Sequence, residues 1–153
     1  MIKNVQFFMA IILLLIIILG SLFAPYLVTH NPFEPNMAER LQTFSFMHYL
    51  GTDSLGRDMY SRILYGGRAS ILLSLMAGML SLILGLFIGI ISGFYGKKID
   101  IIFTAISNIF QGIPSACFMI AIVGVFNPSI KSLILALVIT SWAGFSRIVR
   151  AEV

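Results

Sequence analysis

Charge is scarce in this chain. Among 153 residues there are ten Lys and Arg and six Asp and Glu. Ten positive charges spread over the whole length do not make the basic face that a nucleic-acid site needs, so no nucleic acid is expected as a partner. Cysteine is scarcer still. Cys117 stands alone, no intrachain disulfide can form, and the redox compartment is not legible. The two histidines, His30 and His48, share one segment with Asp53 and Asp58, but their spacing matches no metal-ligand pattern. Residues scattered in this way are ordinarily caps and solvated loop groups, so neither a metal nor a cofactor is expected. The chain has no glycine loop for phosphate, no nucleophile motif and no paired-carboxylate site. The expectation is a protein that is not an enzyme and does not hydrolyse nucleotide by itself. Internal repeats and low-complexity segments are lacking too.

What the chain has in abundance is apolar length. It is 59% hydrophobic, with a mean hydropathy of +1.01. Four stretches carry most of this. Val5 to Val28 and Ala69 to Gly96 are uncharged; Ile101 to about Phe126 is a third; Ser129 to Ser146, with Lys131 in its first turn, is a fourth. A bilayer core of ~30 Å needs ~20 apolar helical residues, so the expected fold is an all-α integral membrane protein with four transmembrane helices and membrane lipid around it. The first stretch is too long for a signal peptide, whose apolar region runs ~7–15 residues. Its best cleavage position, after Ala24, is followed by Pro25 and has Leu22 where a small residue is wanted. It reads as a retained anchor.

The segments expected are therefore an anchor span over 1–28, a loop over 29–68, and three spans over 69–153. In the loop, Pro32, Pro35, Asn31 and Asn36 interrupt regular structure. Gly51 and Gly56 permit tight turns, and Asp58 can cap a helix start. Met59, Tyr60, Ile63 and Leu64 then fall on one face, which predicts a short helix on the membrane surface. Four crossings put both termini on one side. Lys and Arg divide five against five between the two sides; the compact Lys97-Lys98 and Arg147/Arg150 pairs lean toward cytoplasmic termini.

Two of the spans carry a polar or small-residue pattern. Ala77, Ser81, Gly85, Gly89 and Gly93 lie four residues apart and form one small-residue groove, the surface along which membrane helices approach closely. Thr104, Ser107, Asn108, Gln111 and Ser115 fall along one side of the third span, near Gly112 and Pro114, which weaken its backbone ladder. Amides at membrane depth must face protein or water. Asn108 and Gln111 are accordingly expected to line a pathway or gate, with Ser107, Ser115 and Pro114 beside them; interhelical hydrogen bonding without solute contact is the alternative.

The polar segment carries a resemblance. His48 to Asp53, Gly56-Arg57-Asp58, Ser61-Arg62, Gly67-Arg68 and Ser70 resemble the stretch before the core of the inner-membrane permeases of bacterial ATP-driven importers for dipeptides, oligopeptides and nickel. The likeness continues through Gly93 to Gly96 with Asp100, Pro114, Trp142 and Arg147 to Arg150, and covers roughly residues 48–153. Gly51, Thr52, Asp53, Gly56, Arg57, Asp58, Arg62 and Arg68 form the signature. The resemblance implies a six-span permease, with a methionine-importer-like core plus an N-terminal anchor helix. It implies cytoplasmic termini and residues 29–68 outside the bacterial plasma membrane. Its expected partners are a second homologous permease subunit, two cytoplasmic ATPase subunits and an extracytoplasmic solute-binding protein. Family members continue into a coupling helix and two further spans, whereas this sequence stops at Val153 and so looks like a fragment or truncated product. Translocation of di- or oligopeptides is the function expected, with a nickel chelate as alternative. A non-transporting membrane scaffold or assembly subunit is the alternative of another class, separable by reading the DNA beyond codon 153.

Overall fold

The computed structural model describes residues 2–153, with side chains from Val5 onward. Six helices follow one another: α1 (Ile2–Leu22), α2 (Ala24–Leu27), α3 (Met59–Tyr95), α4 (Lys97–Gly112), α5 (Ser115–Phe126) and α6 (Ile130–Glu152). The described chain divides after residue 72 into two compact units.

In the first unit, α1 presents large apolar side chains on nearly all sides, with Phe7, Phe8, Leu13 and Ile16 each about 60% exposed. A helix apolar all round suits lipid. Phe23 leaves helical geometry, and Pro25 then sits in the first turn of α2, where its missing N–H costs nothing. Near the end of α1, Ser21 is buried against Gly67 of α3. A Cβ at Gly67 would come within 2.3 Å of Ser21 Oγ and 3.2 Å of its Cβ, so a larger residue would force the serine to turn away. The intervening loop holds a 3-10 turn (Met37–Glu39) and the isolated bridge Thr52–Asp58.

The expected short surface helix does not form as a separate element. Residues 59–70 are the opening turns of α3, which runs unbroken for 37 residues. At ~1.5 Å per residue it is about 55 Å long, well beyond a bilayer core. Gly66 and Gly67 lower helix propensity but remove no backbone donor, so the ladder continues through them.

In the second unit, Gly96 (φ +53°) and Lys97 (φ +43°) make the turn from α3 into α4. The third apolar stretch is not one straight span. α4 and α5 meet at an 88° bend. Pro114 causes it: the residue before a proline is pushed to extended geometry, and Ile113 sits at φ −95°, ψ +129°. Phe110 stacks on Phe118 across the bend and meets Trp142 of α6 edge-on, at ring separations of 5.4 and 5.5 Å. By length and composition three helices can cross a membrane, or four if the bent pair is one span. α6 starts with a capping box between Ser129 and Ser132 and packs against both α4 and α5.

Candidate functional site

The small residues of α3 meet α6. A Cβ at Gly85 would lie 2.5 Å from Phe145 Cβ, one at Gly89 2.7 Å from Val149 Cβ, and one at Gly93 2.9 Å from Val153 Cβ. Ala77 and Ser81 on the same row are buried, with Ser81 Oγ donating to its own Ala77 carbonyl at 2.8 Å. Without an apolar driving force between helices in lipid, such close backbone approach is what gives dispersion contact its reach.

Thr104, Ser107, Asn108 and Gln111 of α4 line one small cavity between α3, α4 and α6, together with Ser92 and Arg150. Its volume is about 30 Å³. That holds a water or two, which each need roughly 10–15 Å³ of such space, and no larger solute. Ser107 is buried, while Asn108 and Gln111 stay exposed and make no side-chain hydrogen bond among the described residues. Ser115 does not join them. It lies past the bend, exposed at the start of α5, so the polar side expected over one span is confined to α4. Pro114 is the corner itself.

Beside this cavity lies a polar knot whose pairing sequence reading did not anticipate. Arg150 Nη1 donates to Asp100 Oδ1 at 2.9 Å and also to Thr104 Oγ1, and Ser92 Oγ donates to the same Asp100 oxygen at 2.7 Å. Asp100 and Arg150 stood in the sequence as part of the family resemblance, and Arg150 as a charge just beyond an apolar stretch, but neither signal paired them.

The signature residues of the loop form a hydrogen-bonded lobe. Gly51 (φ +71°) and Gly56 (φ +73°) are left-handed, and a Cβ at either would strike the carbonyl oxygen of Gln42 or Asn36. Thr52 Oγ1 accepts from Gln42 N at 2.8 Å and donates to the Glu39 carbonyl. Asp53 accepts from the backbone of Leu55 and Arg57, from Arg57 Nε at 2.9 Å, and from Arg62. What burial Asp53 has pushes its carboxyl up, but the bonds from Arg57 and Leu55 and the Arg57 charge outweigh this and hold it at about 2. Arg68 is half-buried, without an ion pair among the described residues.

His48 and Asp58 are not solvated loop groups. Each is 2% exposed. Asp58 Oδ2 accepts from Ser61 N at 2.8 Å, which caps α3, and its Oδ1 lies 2.9 Å from His48 Nδ1. Burial raises the Asp58 pKa, yet the bonds from Ser61 and His48 win and lower it.

Long apolar helices with a small-residue seam and one polar helix face define a multi-pass, all-α membrane protein. Residues 85–153, which span the seam, the cavity and the Asp100–Arg150 knot, match the family described as binding-protein-dependent transport system inner membrane component. Over those residues the chain carries that family's pattern, and its apolar helices are those of a multi-pass inner-membrane protein. It is similar to the dipeptide transport system permease protein DppC of Alkalihalophilus pseudofirmus, 37% identical over 99% of this chain and 50% of the relative. It is also similar to the oligopeptide transport system permease protein OppC of Bacillus subtilis, 34% identical over 94% of this chain and 47% of the relative. A third similarity is to the metal-staphylopine import system permease protein CntC of Staphylococcus aureus, 38% identical over 93% of this chain and 49% of the relative. The chain spans about half the length of the curated relatives it matches.

Proposed function

We propose that this chain belongs to the permease subunit of an ATP-driven importer that moves di- and oligopeptides across the plasma membrane. The observation that carries this reading is the reach of the similarity to peptide permeases. It runs over nearly the whole chain, including the anchor and the loop lobe, and not only over the membrane core. In this reading a second homologous permease subunit faces the chain, two cytoplasmic ATPase subunits supply the energy, and an extracytoplasmic solute-binding protein delivers the solute. ATP hydrolysis then resides in those other subunits.

The arrangement gives each segment a part. Residues 1–28 anchor the chain, residues 29–68 with the first turns of α3 face outward, and 69–153 contribute a partial permease core. The termini, Lys97-Lys98 and Arg147/Arg150 are cytoplasmic. The row Ala77, Ser81, Gly85, Gly89, Gly93 holds α3 to its neighbour. Asn108 and Gln111, two exposed amides of α4 without hydrogen-bond partners among the described residues, face the pathway between the two permease chains. Ser107, Pro114 and Ser115 lie beside them.

One observation favours a second solute class, a metal chelate, for the 38% identity to the metal-staphylopine permease stands beside 37% and 34% to the peptide permeases. Uptake separates the two. In cells carrying the full-length gene and its neighbouring transport genes, a labelled dipeptide should accumulate, stop when the gene is deleted and return on complementation. Accumulation of chelated nickel in place of dipeptide selects the second reading. Accumulation of neither selects a scaffold.

A further inference from the structure

The loop lobe contains a buried imidazole nitrogen with nothing to bond. His48 Nε2 is shielded from water, and no donor or acceptor meets it in hydrogen-bond geometry. Buried polar atoms are ordinarily satisfied, and an exception calls for a cause. The other ring nitrogen is engaged: Asp58 Oδ1 sits 2.9 Å from Nδ1. A carboxylate there keeps the proton on Nδ1 and turns the Nε2 lone pair outward, the arrangement by which metal-binding histidines are oriented.

What faces that lone pair has ligand chemistry. Glu39 Oε2 lies 3.4 Å from His48 Nε2. An ion about 2.0–2.1 Å from two ligands at a tetrahedral angle separates them by about 3.4 Å, so the gap is that of a coordination edge, whereas a hydrogen bond would close it further. His30 lies against His48 with ring centroids 4.6 Å apart. Its Nδ1 is 3.0 Å from Thr29 Oγ1, which leaves Nε2 free. Ligand atoms of His30, His48 and Asp58 all fall within 4.8 Å of one another, and Glu39 joins this group through its approach to His48. These residues and Glu34 line one open pocket, wide enough for a water to complete the coordination shell.

We propose that His48, Glu39 and His30 form a binding site for one divalent transition-metal ion of the zinc type, with Asp58 as the positioning residue that orients His48. Two imidazoles and a carboxylate suit a borderline ion and not magnesium or calcium, which prefer all-oxygen shells. The site joins the segment around residue 30, the 3-10 turn and the cap of α3, so the ion ties together a lobe that otherwise has no apolar core. The inference does not rest on the importer reading, because every residue lies in the first unit and no solute is involved.

The test uses the whole chain in detergent micelles, free of histidine tags, with Cys117→Ser as background to remove the lone thiolate. Zinc(II) is titrated calorimetrically, and cobalt(II) serves as the spectroscopic probe. One ion per chain is expected, with the intense visible bands of four- or five-coordinate cobalt. Glu39→Gln keeps the Asn36 hydrogen bond within reach and His30→Gln alters a half-exposed ring, so both should retain helical circular dichroism. Each should weaken zinc binding tenfold or more. Absence of stoichiometric zinc binding by the background chain overturns the proposal whatever the variants do. So does binding that both substitutions leave unchanged, or cobalt bands of a fully hydrated octahedral ion.

Discussion

Arg150, in the last turn of α6, holds Asp100 in the first turn of α4 across fifty residues of sequence, with Nη1 2.9 Å from Oδ1. Both side chains are about a third exposed. The pair is therefore screened, and its direct coupling is expected to be modest, about 0.5–1 kcal/mol. A double-mutant cycle with Asp100→Asn and Arg150→Gln, read by thermal unfolding in detergent, should return a coupling in that range. A coupling near zero means that Thr104 and Ser92, which share the knot, carry the contact instead.

Gly89, in the middle of the seam between α3 and α6, tests that contact. Even a methyl group there would sit 2.7 Å from Val149 Cβ and 2.8 Å from the Ser146 carbonyl oxygen. Gly89→Ala should destabilise by about 1 kcal/mol and Gly89→Leu by about 3 kcal/mol or more, since overpacking costs roughly 1–3 kcal/mol per insertion. Gly78, whose Cβ would meet nothing within 4 Å, is the control and should accept Ala without loss. Equal tolerance at both positions means that the seam does not exist in the membrane.

Asn108→Leu and Gln111→Leu separate a pathway from structural glue. Neither amide has a hydrogen-bond partner among the described residues, so the fold of this chain should not change. In the full-length permease, assembly with the partner subunits is expected to persist while uptake slows. Failure of assembly, scored by co-purification, assigns the amides to the interface between subunits. If neither property changes, the pathway runs elsewhere.

Orientation is checked by thiol labelling in a Cys117→Ser background. Ser54 is exposed on the lobe and Lys98 on the first turn of α4. Cysteine introduced at Ser54 should react with an impermeant reagent added to whole cells, and cysteine at Lys98 should react only after lysis. The reverse pattern would falsify cytoplasmic termini.

Asp53 gives the lobe a pH dependence. Its folded pKa of about 2 lies below the 3.8 of an unperturbed aspartate, so the unfolded lobe binds its proton first as acid is added. The stabilisation is complete above about pH 4 and is lost as pH falls toward 2. Asp58 shifts in the same direction and adds to the trend. Hydrogen exchange at the Leu55 and Arg57 amides should stay slow down to pH 4 and accelerate below it. Asp53→Asn should flatten that change and leave only the part due to Asp58.

Much of this was legible in local sequence, because its causes are local. Uncharged runs of about twenty residues dictate helices in lipid, and the four-residue spacing from Ala77 to Gly93 dictates a smooth helix face. Asp58 as a cap and Gly51 and Gly56 as left-handed turns follow from the conformations those residues alone permit. Pro114 announced a weak point as well, but its size did not follow. A proline can be absorbed as a slight kink or open into a corner, and the aromatic contact of Phe110 with Phe118 and Trp142 decides for the corner.

The sequence by itself determined a helical membrane chain, its small-residue seam and its breaks. Each of these depends on residues within a few positions of one another. Tertiary structure alone decided that α3 begins at Met59 and runs without interruption, because Gly66 and Gly67 are helix-compatible once Ser21 packs against the second of them. It also decided that His48 is buried against Asp58, ten residues away, and faces Glu39 and His30. No spacing rule anticipates that grouping, since the loop that brings the four together is closed by backbone hydrogen bonds between segments, such as Asn36 to Leu55 and Leu41 to Asp53, that no periodicity records.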